Sequence, residues 1–149
     1  MKPRLAQAFS VISVLLVADL IVQFFLAGAA VFTFMRSFDD TSSASIPAAA
    51  YRNAAHNMDF WWGIHVGNAA LVFLLILLML ILSFAARKPW MVTGLIALFI
   101  PLLFLQSIFA HGVPAPYAGL HVVNGVAILG LSVYLAMREW AFRKPVSPY

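Results

Sequence analysis

The sequence predicts an all-α integral membrane protein, a four-helix bundle made of two pseudo-repeated hairpins with both termini on the inner side. Three observations predict it. Of the 149 residues 64% are hydrophobic and only 9% charged, with a mean hydropathy of +0.97, whereas a soluble domain carries about 25% charged residues. Four apolar runs are each long enough to cross about 30 Å of hydrocarbon as a helix, which takes about 20 residues. Two of those runs carry the same polar pattern at the same point. Cysteine is absent, which excludes disulfides, thiolate-ligated clusters and thioether attachment of haem.

The first run extends from Leu5 to about Met35. Lys2, Pro3 and Arg4 precede it and Ala27-Gly28-Ala29 resembles a cleavage site, but a signal h-region is only about 7–15 residues long, so a helix is expected over 5–35. Asp19 lies in its middle, one helical turn from Gln23. An ionised Asp at that depth costs about 2.5–3.5 kcal/mol. It is expected to face the interior, as part of a proton path or as a helix-to-helix contact.

The connection 36–60 is polar and turn-like over 37–45. From Pro47 to His56 it is rich in helix formers, which predicts a short separate helix near 47–57 capping the outer side. The second span is expected over 61–86. The third, 90–110, contains Pro101, which removes an amide and frees the carbonyl of Ala97, so a kink is expected there. The fourth is expected over 117–142.

Lys2, Arg4, Arg87, Lys88, Arg138, Arg143 and Lys144 cluster at one set of span ends, with only Arg36 and Arg52 at the other. The positive-inside rule then places both termini in the cytoplasm. Trp61, Trp62, Trp90, Tyr117 and Trp140 fall at span ends, as interfacial anchors do. The net charge of +4 follows from this topology and from attraction to anionic lipid. No basic patch interleaved with aromatics points to nucleic acid.

Gly63-Ile-His65-Val-Gly-Asn68-Ala69 and Gly119-Leu-His121-Val-Val-Asn124-Gly125 share the pattern G-[IL]-H-V-x-N-small. Gln23-Phe-Phe-Leu-Ala27 and Gln106-Ser-Ile-Phe-Ala110 echo each other in the preceding spans. This predicts a two-hairpin repeat about an axis along the membrane normal. Three residues on a 3.6-residue helix bring His65 and Asn68 onto one face, and likewise His121 and Asn124. Val72, Ile76 and Met79 continue the first face, and Ile128 and Ser132 the second. Gly63, Gly67, Gly119 and Gly125 are expected to clear space beside the imidazoles.

Two depth-matched imidazoles are what haem b requires, one axial nitrogen on each side of the macrocycle. His65 and His121 are therefore the candidate iron ligands, with Asn68, Asn124, Gln23 and Gln106 orienting them or bonding a propionate. His111, at the end of the third span, is the alternative ligand in the second hairpin, or an interfacial residue. His56 falls in the outer connection. The competing reading is that these polar residues only bond helix to helix, at roughly 0.6 kcal/mol each.

Gln23-Phe-Phe-Leu-Ala27-Gly28 and His121-Val-Val-Asn124-Gly125, with a His early in the second span, resemble a family of small bacterial four-helix membrane proteins. The resemblance covers all four spans and implies a bacterial inner-membrane location. His65 is followed here by Val66-Gly67, where that family is associated with Arg and Gly, and the outer connection is longer. The family implies no activity. The site is similar in outline to that of four-helix membrane cytochromes b.

The expected function is that of a b-type haem protein passing electrons between a quinol and an outer-side partner, or serving as a subunit of a respiratory-type complex. The alternatives are a non-redox accessory subunit of a membrane complex, and a small transporter or metal-handling protein that would act as a homo-oligomer. No nucleophile-base pair or phosphate-cradling loop marks a free-standing enzyme.

Overall fold

The computed structural model describes residues 3–38, 48–111, 114, 117 and 119–142. Among these the chain is helical, with no strand: α1 (Pro3–Arg36), α2 (Ala48–Ala85), α3 (Trp90–Ala97), α4 (Phe99–His111) and α5 (Gly119–Arg138). Four segments are long and apolar enough to cross a membrane: Arg4–Arg36, Ala48–Ala85, Trp90–Ala110 and Gly119–Arg138. Three of the basic residues invoked for topology, Lys2, Arg143 and Lys144, lie outside the described residues.

The segment expected as a separate outer helix is instead the first turns of α2, which runs unbroken for 38 residues. At about 1.5 Å per residue this is about 57 Å. The physical reason is local: no Gly or Pro occurs between Ala48 and Trp62, so nothing stops the helix from joining the apolar run.

The third span is split at Leu98 into α3 and α4. Pro101 has no amide to give the Ala97 carbonyl and its ring crowds that oxygen. The ladder continues around the break, with Leu98 N–H bonding Gly94 O at 3.0 Å and Leu102 N–H reaching Leu98 O at 3.3 Å. The fourth span is shorter than expected, ending at Arg138.

The chain forms two compact units. One comprises 19–72, the second half of α1 and the first two thirds of α2. Here Phe34 meets Tyr51 edge-to-face at 5.5 Å and Phe38 at 5.2 Å, while Phe25 meets Trp61 at 6.4 Å. The other comprises 1–18 and 73–149, and in it α4 packs on α5. Three mid-helix hydroxyls are satisfied locally. Ser13 donates to Phe9 O, Thr33 to Ala29 O and Ser132 to Ile128 O, each four residues back, as a medium without water requires.

The expected inward faces are inward. His65, Val72, Ile76 and Met79 are buried along α2, as are Asn124, Ile128 and Ser132 along α5.

After Ala85 the backbone makes a left-handed helix stop. Lys88 N–H bonds Ser83 O at 2.8 Å and Arg87 N–H bonds Phe84 O at 3.0 Å, with Arg87 at φ 51°. Glycine usually takes this position, because a Cβ is crowded there. Pro89 then precedes α3 without a side-chain cap.

Candidate functional site

Each unit carries one cluster of Gln, His and Asn. In the 19–72 unit, Gln23 on α1 faces His65 and Asn68 on α2. Asn68 Nδ2 donates to Gln23 Oε1 at 2.9 Å, Gln23 Nε2 donates to the His65 carbonyl at 2.9 Å, and His65 Nδ1 lies 3.3 Å from the Gln23 carbonyl. The Trp62 indole lies over the His65 ring with centroids 5.4 Å apart.

In the other unit Gln106 on α4 faces His121 and Asn124 on α5. Asn124 Nδ2 donates to Gln106 Oε1 at 2.7 Å and to Leu102 O at 2.8 Å. His121 Nδ1 lies 3.0 Å from the Gln106 carbonyl, and Gln106 Nε2 lies 3.0 Å from His121 Nε2. A carbonyl only accepts, so Nδ1 of His121 carries the proton. Nε2 then holds a lone pair, and the Gln106 amide donates to it. The donation from Asn124 to Oε1 fixes the same amide orientation. The network has one self-consistent arrangement with a neutral imidazole.

Both histidines thus send Nδ1 to the backbone carbonyl of the glutamine opposite. That bond sets the tautomer whose Nε2 can accept a hydrogen bond or ligate a metal, and metal-bound histidines characteristically have such a partner. The clusters differ in the rest. The Gln23 amide goes to a backbone carbonyl, whereas the Gln106 amide goes to the ring. Asn124 also bonds the Leu102 carbonyl, whereas Asn68 bonds Gln23 Oε1. Asp19 sits four residues before Gln23 as Leu102 sits four before Gln106. Its Oδ2 is buried with no partner among the described residues.

Gln106→Leu is expected to lower stability by about 1–2 kcal/mol, the upper range for a side-chain bond inside a membrane, because it takes partners from His121 and Asn124 together. The thermal midpoint in detergent reads this, and an unchanged midpoint would show that the network contributes nothing.

The expected clearing by glycines is corrected at three positions. Gly63, Gly67 and Gly119 are exposed, with open space where a Cβ would go. Each is two residues from its histidine, about 200° around the helix, so it looks away from the cluster. Gly125 is buried. His111 is the last residue of α4, and its side chain lies outside what is described. His56 is exposed, 3.5 Å from Asp59. No group of three or more His, Cys, Asp or Glu side chains able to hold a metal ion occurs among the described residues.

Two features were not read from the sequence. Trp62 is a ring contact of His65 as well as a span-end aromatic, and its i, i+3 spacing was the available signal. The other is a buried ion pair. Lys88 Nζ lies 2.6 Å from Glu139 Oε2, with side-chain exposures of 5% and 14%, and 4.7 Å from the centre of the Phe9 ring. Ser10 Oγ donates to the Glu139 carbonyl at 2.8 Å and accepts from Ala141 N–H at 2.9 Å. Arg138 Nε is 3.3 Å from the other carboxylate oxygen. The pair joins residues 51 apart in sequence, a distance no local pattern bridges.

No family model, curated protein or solved structure matches the chain.

Proposed function

We propose that this is a membrane-embedded b-type haem protein, with His65 and His121 as axial ligands, that carries electrons between a quinol and an outer-side partner. One observation carries the reading: both imidazoles, on different helices, direct Nδ1 to a glutamine carbonyl, the preparation for ligation through Nε2. The donor set suits a haem iron, which takes two neutral nitrogens and needs no third protein ligand. Gln106 would release the His121 ring by rotating its amide, while the Gln106 carbonyl keeps the ring oriented. Asn68 and Asn124 hold the two glutamines. Trp62 restricts rotation of His65. Bound haem would supply one-electron chemistry, and these side chains would set its environment and exclude water.

The proposal includes the topology read from charge, with both termini and the 87–88 turn cytoplasmic and the two hairpins related as a repeat. The likeness of the first and fourth spans to small bacterial four-helix membrane proteins supports the same arrangement in a bacterial inner membrane, where quinones and larger respiratory complexes supply the partners.

A second reading has its own observation. The 3.0 Å contact between Gln106 Nε2 and His121 Nε2 satisfies the imidazole without a metal, as in an accessory subunit whose histidines only join helices. Oxidised and dithionite-reduced absorption spectra of protein purified from haem-replete cells separate the two. A low-spin haem b spectrum at about one haem per chain is expected. Colourless, folded protein would leave the helix-joining role.

A further inference from the structure

A cavity of about 310 Å³ lies at the turn between α2 and α3, lined by Ser83, Phe84, Arg87, Lys88, Trp90 and Thr93. That is near the lower end of the ~300–1,000 Å³ typical of small-molecule sites. Its lining is uneven in a way that points to an anion.

The Arg87 side chain makes no hydrogen bond or ion pair among the described residues and is exposed. It holds a left-handed φ of 51° that glycine would adopt more easily. Thr93 is 5% exposed, and its hydroxyl has no partner among the described residues. Thr93 lines the cavity, and an unpaired hydroxyl there is a donor available to an acceptor that enters it. The other polar groups are committed: Ser83 donates to Leu80 O at 2.7 Å, and Lys88 is bound to Glu139. The site therefore offers a planar fork of positive charge, one unpaired hydroxyl donor and no competing carboxylate among its lining residues. Trp90, 81% exposed, stands at its rim at the end of a candidate span, where an indole sits among headgroups.

We propose that this cavity binds the phosphate of an anionic phospholipid headgroup, paired with Arg87 and hydrogen-bonded by Thr93. A phosphate matches the guanidinium fork, and a headgroup reaches this depth while its chains remain beside Phe84 and Trp90. Phosphatidylglycerol, with net negative charge, is favoured over phosphatidylcholine, whose choline cancels the charge Arg87 would meet.

Native mass spectrometry of the full chain, released from detergent containing equal phosphatidylglycerol and phosphatidylcholine, tests this. One phosphatidylglycerol is expected to be retained preferentially. Arg87→Gly suits the helix stop and so spares the fold, and it is expected to reduce retention about fivefold, the worth of one cation near the membrane surface. Thr93→Val keeps the side-chain shape and is expected to reduce it about tenfold, since the lost bond is to a charged group. Arg36→Gly, at the end of α1, is expected to change nothing. Equal retention of the two lipids, or unchanged retention in both cavity variants, overturns the proposal. A second arm adds millimolar inorganic phosphate. Phosphate that displaces the lipid and itself binds with the same Arg87 dependence would assign the site to a soluble anion and overturn the lipid assignment.

Discussion

Under the proposed bis-histidine ligation, alanine at either His65 or His121 is expected to leave no low-spin haem spectrum in the purified protein. His65→Ala would take away the ring oriented by the Gln23 carbonyl at 3.3 Å, and His121→Ala the ring oriented by the Gln106 carbonyl at 3.0 Å. A single remaining imidazole cannot give a six-coordinate low-spin spectrum, and any haem it retained would show a five-coordinate one instead. The helices themselves are expected to persist, since each histidine contributes a hydrogen bond of about 0.6 kcal/mol to packing. Circular dichroism of the variants checks that they do. Full low-spin haem in both single variants would end the bis-histidine reading. Loss on His65→Ala with retention on His121→Ala would move the second ligand to another residue, His111 first.

The second large effect concerns Glu139. Its removal leaves the Lys88 ammonium, 5% exposed, against the Phe9 ring with no counter-charge. Uncompensated buried charge of this kind costs about 3–5 kcal/mol, so Glu139→Ala is expected to lower the thermal midpoint in detergent more than any other single change considered. Arg138 loses the same partner, but its 33% exposed side chain can turn to water. Paired replacement, Lys88→Met with Glu139→Leu, is expected to restore the midpoint, because the desolvation of both ions is then avoided. A Glu139→Ala midpoint equal to that of the parent would show that Lys88 escapes to solvent at no cost. The pair is tied to the C-terminal turn through Ser10, so its loss is also expected to loosen residues 139–142, read as faster amide exchange at Ala141.

Both clusters at the centre of the functional proposal were legible in part. The G-x-H-x-x-N pattern puts histidine and asparagine on one helical face by spacing alone, and the glutamines stand out because polar side chains are rare in such apolar runs. That Asn68 would reach Gln23 and Asn124 would reach Gln106 needed the packed hairpins. So did the difference between them: the Gln106 amide meets an imidazole nitrogen while the Gln23 amide meets a carbonyl, although the sequences around them are alike. Asp19 stood out as costly in the sequence, and the structure added that no described group holds its buried Oδ2.

The sequence by itself determined the helical class, the four apolar spans, the break near Pro101 and the inward stripes of α2 and α5, because each follows from interactions within a few residues: a missing amide, a 3.6-residue period, and an apolar length matched to the bilayer. Only the tertiary structure decided that the 48–60 segment continues α2 and that Lys88 finds Glu139. The second is a contact fixed by how whole helices lie against one another. The first turns on a stop signal that is absent, and absence of a stop shows only when the helix is seen to continue.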